Sequence, residues 1–141
     1  MKHRHLMKNI STVARCASLY RSKRLEEAGI TGYQASYIPE ICAEPGLTQE
    51  KLAQILYVTP SSVTRQLAML EDNGFIIRKR SATDRRAIEV YPTEKCEQVM
   101  PLVREVFKDW REEITSSMTE EELDTLAELM EKLSQRAKEI E

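Results

Sequence analysis

The sequence predicts a mainly α-helical fold that carries one small β-hairpin, an α+β arrangement. Long stretches with helical spacing of apolar residues lie near both ends of the 141-residue chain. Between them, shorter helical stretches precede two β-branched and aromatic runs that flank a polar turn. Glycine and proline number only 4 and 5, which does not favour an all-β fold. This length corresponds to a single domain, 1–141.

The first long helix is predicted from Leu6 to about Leu25 or Ala28. Gly29 follows it and can adopt the left-handed conformation that ends many helices. Apolar residues recur every three or four positions and therefore share one helix face: Leu6, Ile10, Val13, Ala17 and Tyr20.

Two shorter helices follow. Thr31 and Gln34 have the spacing of a capping box, so a second helix should begin there and end before Pro45-Gly46. Pro39 should kink or shift it, because proline removes one backbone donor. Thr48 is the candidate N-cap of the third helix.

A fourth helix should begin after Thr59, with Pro60 at its first position and Gly74 at its end. Only residues 56–58 separate it from the third helix, which is the spacing of a helix-turn-helix. Its predicted buried face contains Val63, Leu67 and Leu70.

The outward face of the fourth helix should be small and hydroxylated, with one long cation. Ser61 and Arg65 lie opposite Val63 at 100° per residue, and Ser62 and Thr64 flank them. Such a face suits insertion into a DNA major groove, where hydrogen-bonding groups read base edges. An ordinary solvated helix face would have a similar composition.

A cationic hairpin is predicted next, with strands over 75–80 and 88–91 joined by a turn over 81–87. Five positive charges fall within nine residues, against the single acidic residue Asp84. Phosphate groups would neutralise such a density, although basic residues also protect ordinary edge strands from aggregation. The five are Arg78, Lys79, Arg80, Arg85 and Arg86.

This region resembles the winged helix-turn-helix of the MarR family of bacterial transcriptional regulators. The resemblance rests on residues 62–65, on Leu70-Glu71 followed by 73–76, on Arg78 and on residues 84–86, and it continues upstream through 30–56. It implies a DNA-binding lobe over 30–93, with Arg86 in the minor groove and Asp84 bracing the hairpin. The DNA-binding residues would be Ser61, Ser62, Thr64, Arg65, Gln66, Lys79, Arg85 and Arg86.

Two further helices are predicted after the hairpin. One runs from Glu94 to about Ser116, where Pro101 should bend it or mark an irregular first turn. The last begins at the capping box of Thr119 and Glu122. Its apolar residues form a heptad-like seam: Leu123, Leu126, Met130, Leu133, Ala137 and Ile140.

The terminal segments 1–28 and 94–141 carry more apolar surface than the small lobe can cover, so we expect a homodimer. The resemblance implies the same assembly. The alternative is a three-helix bundle within one chain. Predicted interface residues are Leu6, Ile10, Val13, Leu123, Leu126, Met130 and Leu133.

Charge is distributed unevenly along the chain. Residues 1–93 hold 14 Lys and Arg against 9 Asp and Glu, a net +5, whereas residues 94–141 hold 7 against 14, a net −7. A basic head and an acidic rear would orient the protein towards a polyanion. Apolar runs are too short to cross a membrane, and with no signal peptide we expect a cytoplasmic protein without membrane partners.

Neither catalysis nor a metal or other cofactor is expected. The sequence has no Gly-rich phosphate loop and no nucleophile spaced with a base, and its two histidines, His3 and His5, lie near the terminus. Its three cysteines, Cys16, Cys42 and Cys96, contain no C-x-x-C pair and are expected to be reduced thiols.

The predicted function is that of a sequence-specific DNA-binding regulator, a repressor whose homodimer binds a pseudo-palindromic operator. The resemblance implies release by a small aromatic effector in a cleft lined by Tyr20, Tyr33, Tyr37, Phe107 and Trp110, although such aromatics are often core residues. A thiol-oxidation sensor is an alternative, but Cys16 does not match the position of the reactive cysteine in such relatives. A winged-helix protein–protein adaptor is the other alternative.

Overall fold

The computed structural model describes residues 2–140, and these contain α-helices and one two-stranded antiparallel sheet. Short 3₁₀ helices span Lys2–His5 and Gln34–Ser36. The elements follow in the order α1 (Leu6–Arg24), α2 (Tyr37–Ala43), α3 (Gln49–Leu56), α4 (Pro60–Asp72), β1 (Ile76–Arg80), β2 (Ile88–Pro92), α5 (Glu94–Ile114) and α6 (Glu120–Glu139). The mainly α fold with a single hairpin is confirmed.

The chain divides into two compact units, Met1–Phe107 and Lys108–Glu141. The division falls within α5, which is continuous through Pro101. The first unit has one apolar core, built by α2, α3, α4, the hairpin and the first half of α5. Its fully buried side chains include Leu25, Ile38, Ile41, Leu52, Val63, Leu67, Leu70, Val90, Cys96, Val103 and Val106.

The second predicted helix is split in two. Its capping box is present, because the Gln34 amide donates to Thr31 Oγ1 at 3.1 Å and the Thr31 amide donates to Gln34 Oε1 at 3.2 Å. A 3₁₀ turn follows the box, and α2 begins only at Tyr37. Pro39 is therefore the third residue of α2, where its missing donor removes no intrahelical bond.

Helices α3 and α4 form the predicted helix-turn-helix. Thr48 caps α3 by accepting from the Lys51 amide at 3.1 Å, and Thr59 caps α4 by accepting from the Ser62 amide at 3.2 Å. Tyr57, with φ of 57°, turns the chain between the two helices. Gly74, with φ of 81°, follows α4 as expected for a left-handed C-terminal residue.

The hairpin pairs Ile76 with Pro92 and Arg80 with Ile88. The segment before α3 extends this sheet, since the Val90 amide donates to the Leu47 carbonyl at 2.9 Å and the Gly46 amide donates to the Val90 carbonyl at 2.8 Å. The wing is therefore hydrogen-bonded to the helix-turn-helix as well as to itself.

Helix α1 contacts the rest of the first unit through its C-terminal half. The Gly32 amide donates to Ser22 Oγ at 2.6 Å, and a Cβ atom at Gly32 would overlap the Ser18 carbonyl. Only a glycine allows this close approach. Towards the N-terminus of α1, Leu6 and Val13 remain 42% and 50% exposed.

Thr93 joins the wing to α5. Its hydroxyl donates to the carbonyls of Gly74 and Phe75 and accepts from the Cys96 amide at 3.4 Å. Because Cys96, Met100, Val103 and Val106 are buried in the core of the first unit, the beginning of the predicted dimerisation segment 94–141 serves the lobe itself.

In the second unit, α6 begins with the predicted capping box: the Glu122 amide donates to Thr119 Oγ1 and the Thr119 amide donates to Glu122 Oε1. The apolar seam of α6 is largely exposed, with Leu126 at 42%, Met130 at 40% and Leu133 at 36%.

Across residues 2–140, no helix combines the length and the apolar character needed to cross a membrane.

Candidate nucleic-acid interface

A cleft of about 980 Å³ lies between the helix-turn-helix and the wing. It brings together the start of α3, the turn before α4, the first turns of α4 and the wing tip. Fifteen residues line it: Tyr33, Thr48, Gln49, Glu50, Ala53, Gln54, Tyr57, Val58, Thr59, Pro60, Ser62, Thr64, Arg86, Ala87 and Ile88.

The N-terminus of α4 borders this cleft. Thr59 caps it, and Thr59 Oγ1 also lies 3.3 Å from Ser61 Oγ. The first amides of a helix and its macrodipole favour nearby anions. Because Val63, Leu67 and Leu70 are fully buried, Ser61 and Arg65 project from the opposite face and are exposed. The predicted orientation of these two residues is confirmed.

Ser62 does not share this orientation. It is only 9% exposed, and its Oγ lies 3.4 Å from the Tyr33 hydroxyl. The prediction that Ser62 belongs to the outward face was wrong, because it stands beside Val63 where Tyr33 covers the helix. Its side chain joins the segment before α2 to α4.

Thr64 and Gln66 differ in exposure, since Thr64 is exposed and Gln66 is half-buried. Thr64 Oγ1 donates to the Pro60 carbonyl at 3.0 Å and lies 3.5 Å from Gln49 Nε2, so its methyl and hydroxyl are fixed at the cleft. Gln66 is half-buried and is absent from the cleft lining.

The wing tip is ordered by short-range hydrogen bonds. Ser81 Oγ accepts from the amides of Thr83 and Asp84, both at 3.3 Å, and Asp84 Oδ1 accepts from the Arg86 amide at 3.0 Å. Asp84 therefore braces the tip as predicted. Arg86 lines the cleft, whereas Arg85 is exposed outside it and its carbonyl accepts from Arg80 at 3.0 Å.

The five wing cations are not equivalent. Arg78 donates from Nε and from a terminal nitrogen to Glu71 Oε1 at 3.3 and 3.0 Å, and from its other terminal nitrogen to Gln49 Oε1 at 3.2 Å. Its backbone amide donates to Glu71 Oε2 at 3.1 Å. Arg78 thus joins β1 to α4 and α3, and its guanidinium is engaged within the protein although it belongs to the cationic cluster predicted to face phosphates. Lys79 is exposed and stands 5.3 Å from the Tyr91 ring centre.

Sequence reasoning missed Gln49. Its amide group links Arg78 of the wing to Thr64 of α4, with distances of 3.2 and 3.5 Å. A polar residue at the start of α3 gives no local signal of this role, because the two partners come from later segments of the chain. The link fixes the wing relative to α4.

The negative charge of Glu71 should stabilise the folded protein at neutral pH and lose this effect at acid pH. Hydrogen bonds from Arg78 hold the pKa of Glu71 below its ordinary value. A carboxylate whose pKa falls on folding stabilises the protein above its unfolded pKa, and this stabilisation is lost as pH drops through the folded pKa. Glu71→Gln is expected to lower the free energy of unfolding at pH 7 by about 1 kcal/mol or less, since the pair is partly exposed.

Denaturant unfolding at pH 7 and pH 3, at one protein concentration, measures this effect. The difference between the variant and the unaltered protein should become smaller at pH 3, because protonation of Glu71 removes the charge that Arg78 stabilises. Glu44→Gln is the control, because the Glu44–Lys51 pair is half-exposed on both sides and should contribute less. An equal loss at both pH values for Glu71→Gln would contradict a contribution from the carboxylate charge.

The five aromatic residues predicted to line an effector pocket have different surroundings. Tyr33 is 49% exposed and lines the cleft beside α4, whereas Tyr37 is fully buried in the core, where burial raises the pKa of its hydroxyl. Tyr20 and Phe107 are half-buried against the core; Arg24 donates to the Tyr20 hydroxyl at 2.6 Å, and Arg21 stacks on Phe107 at 4.4 Å. Trp110 is half-buried in the second unit.

Within residues 2–140, no group of three or more His, Cys, Asp or Glu side chains is placed to hold a metal ion.

The helix-turn-helix and the wing are similar to those of known proteins. The MarR family model matches residues 30–88. An uncharacterised HTH-type transcriptional regulator of Bacillus subtilis strain 168, YybA, is 28% identical over 128 residues, which cover 91% of this chain and 85% of that protein.

Solved structures agree along nearly the whole chain. A MarR transcriptional regulator from Methanosarcina mazei Go1 has a TM-score of 0.86 at 26% identity, covering 96% of this chain and 98% of its own. A regulator from Listeria monocytogenes, assigned to the MarR family and crystallised with a 26mer DNA, has a TM-score of 0.85 at 27% identity, covering 92% and 87%. The cleft of this chain therefore lies in a winged-helix fold, and over residues 30–88 the chain is similar to the MarR family of transcriptional regulators.

Proposed function

We propose that this protein binds double-stranded DNA as a homodimer and represses transcription from a pseudo-palindromic operator. The observation that carries the proposal is the position of Arg86 on the same cleft as the capped N-terminus of α4. Both lie within residues 1–93, which carry a net +5. The Listeria relative crystallised with DNA supports this use of the fold.

Each element has a distinct proposed role on the duplex. Helix α4 enters the major groove, where Arg65 reads a base edge and Ser61, Thr64 and Gln66 make shorter polar contacts. Arg86 enters the neighbouring minor groove, and Lys79 and Arg85 contact phosphates. Ser62 has no direct role, since it is buried against Tyr33.

The homodimer follows from apolar side chains that each unit leaves exposed. In the first unit several of these lie on α1, and in the second several lie on α6. Both helices would bury these side chains against a second copy, because a two-fold interface uses the same patch twice. The two copies of α4 would then lie about 34 Å apart, one turn of DNA. The proposed interface residues are Leu6, Ile10, Val13, Leu123, Leu126, Met130 and Leu133.

We further propose that a small aromatic compound releases the repressor. The compound would bind at Tyr33, which is half-exposed and whose hydroxyl lies 3.4 Å from Ser62 Oγ on α4. A compound that stacked on Tyr33 and displaced this contact would shift the start of the DNA-reading helix. The effect would be measured as a lower affinity for operator DNA.

Selection of binding sites from random duplex DNA tests the function, and light scattering at low micromolar concentration tests the assembly. The selection should yield a consensus whose two half-sites are related by two-fold symmetry and lie one helical turn apart. Light scattering should give the mass of two chains. A monomer in solution would overturn the dimer. Failure to enrich any sequence, with retained binding to a protein partner, would favour a winged-helix adaptor instead.

A further inference from the structure

Cys42 and Cys96 lie 54 residues apart in sequence but meet in the core of the first unit. Their Sγ atoms are 3.6 Å apart. Cys42 belongs to α2, and Cys96 lies in the first turn of α5. Cys16, on α1, is exposed, and among the described residues no other cysteine lies beside it. The tertiary structure thus converts two isolated cysteines into a pair.

We propose that Cys42 and Cys96 form a peroxide-oxidisable pair that closes to a disulfide linking α2 to α5. The sulfur atoms would need to approach by about 1.5 Å to reach disulfide bonding distance. Rotation of side chains at the ends of two packed helices can supply part of such a movement. The reaction does not depend on DNA binding.

The two thiols have different roles because their exposure differs. Cys42 is partly buried and retains some exposure to solvent, whereas Cys96 is fully buried. Burial, followed by the neighbouring Cys42, raises the pKa of Cys96 to about 12. The thiolate is the reactive form, so Cys96 resists direct oxidation although it stands near a helix N-terminus. Cys42 is therefore the thiol that meets the oxidant.

The reaction balances in two steps with hydrogen peroxide as oxidant. Cys42 Sγ attacks one peroxide oxygen, the O–O bond breaks, one water leaves, and Cys42 becomes a sulfenic acid. Cys96 Sγ then attacks Cys42 Sγ, the S–O bond breaks, and the second water carries away the Cys96 proton. One peroxide is reduced by two electrons, and two thiols are oxidised to one disulfide.

The test uses the full chain with Cys16→Ser, which leaves only the proposed pair. After treatment with hydrogen peroxide and unfolding, free thiols should fall from two to none, and the intact mass should lose two hydrogens. A digest should contain the Cys42 peptide linked to the Cys96 peptide within one chain, and dithiothreitol should restore both thiols. Two remaining thiols, or links only between chains, would overturn the proposal.

Single substitutions in the same background test the order of the steps. In Cys96→Ala, a 1,3-diketone that traps sulfenic acids should label Cys42, since no resolving thiol remains. In Cys42→Ala, Cys96 should stay unlabelled. Labelling of Cys96 but not Cys42 would overturn the assigned roles. If either variant folds poorly, the digest of the protein that retains both cysteines still tests whether the disulfide forms.

Discussion

Replacing Leu126 and Leu133 together with Asp is expected to convert the proposed dimer into monomers and to abolish specific DNA binding. Both side chains remain exposed on α6, by 42% and 36%. Full burial of one leucine contributes about 1.5 to 3 kcal/mol, and about two fifths of each side chain is exposed, so four leucines at a two-fold interface would lose about 2 to 5 kcal/mol. New carboxylates facing one another would add repulsion.

Light scattering and DNA binding at matched protein concentrations measure these losses. The control is Thr125→Asp with Gln135→Asp, which adds two charges to exposed positions of α6 away from the seam. Circular dichroism should show retained helix in both variants, because the substitutions lie outside the core of the first unit. A dimer that survives Leu126→Asp with Leu133→Asp would show that the seam is not the interface.

Arg65→Ala is expected to reduce discrimination between the selected operator and scrambled DNA. Arg65 projects from α4 opposite its buried face, and loss of one base-edge contact costs about 1 to 3 kcal/mol per half-site. Affinity for the operator should therefore fall much more than affinity for scrambled DNA. Preference should relax at particular base pairs in each half-site.

Arg86→Ala is expected to weaken binding to both DNAs. Arg86 lies at the wing tip, where the Asp84 carboxylate holds its backbone amide, and it lines the cleft beside α4. Loss of a contact with phosphates or with the minor groove should lower the salt slope by about 1 per half-site.

Titrations over a range of salt concentrations compare the two variants. Arg104→Ala removes the same charge from an exposed site on α5 and serves as the control. Unchanged affinity of both Arg65→Ala and Arg86→Ala at low salt would mean that this cleft is not the DNA surface. The adaptor function would then be the better account.

Local sequence signals determined most element boundaries. Thr48, Thr59 and Thr119 each cap a helix through their own hydroxyl groups, and Gly74 adopts a positive φ after α4. These interactions span only a few residues, so the sequence alone contains their partners. The period of the apolar residues likewise determined that Val63, Leu67 and Leu70 would be buried. The polar face of α4 followed from the same period.

Only the tertiary structure decided which of the polar residues remain available to a partner. In the sequence, Arg78 is one of five wing cations, but in the structure its guanidinium donates hydrogen bonds to Glu71 and Gln49. The helical period of α4 predicted that Ser62 points outward, but in the structure its hydroxyl lies beside that of Tyr33. The physical reason is that hydrogen bonds and burial depend on neighbours distant in sequence, which no local pattern records. Cys42 and Cys96 likewise form a pair only in the folded chain, where α2 and α5 bring their sulfur atoms together.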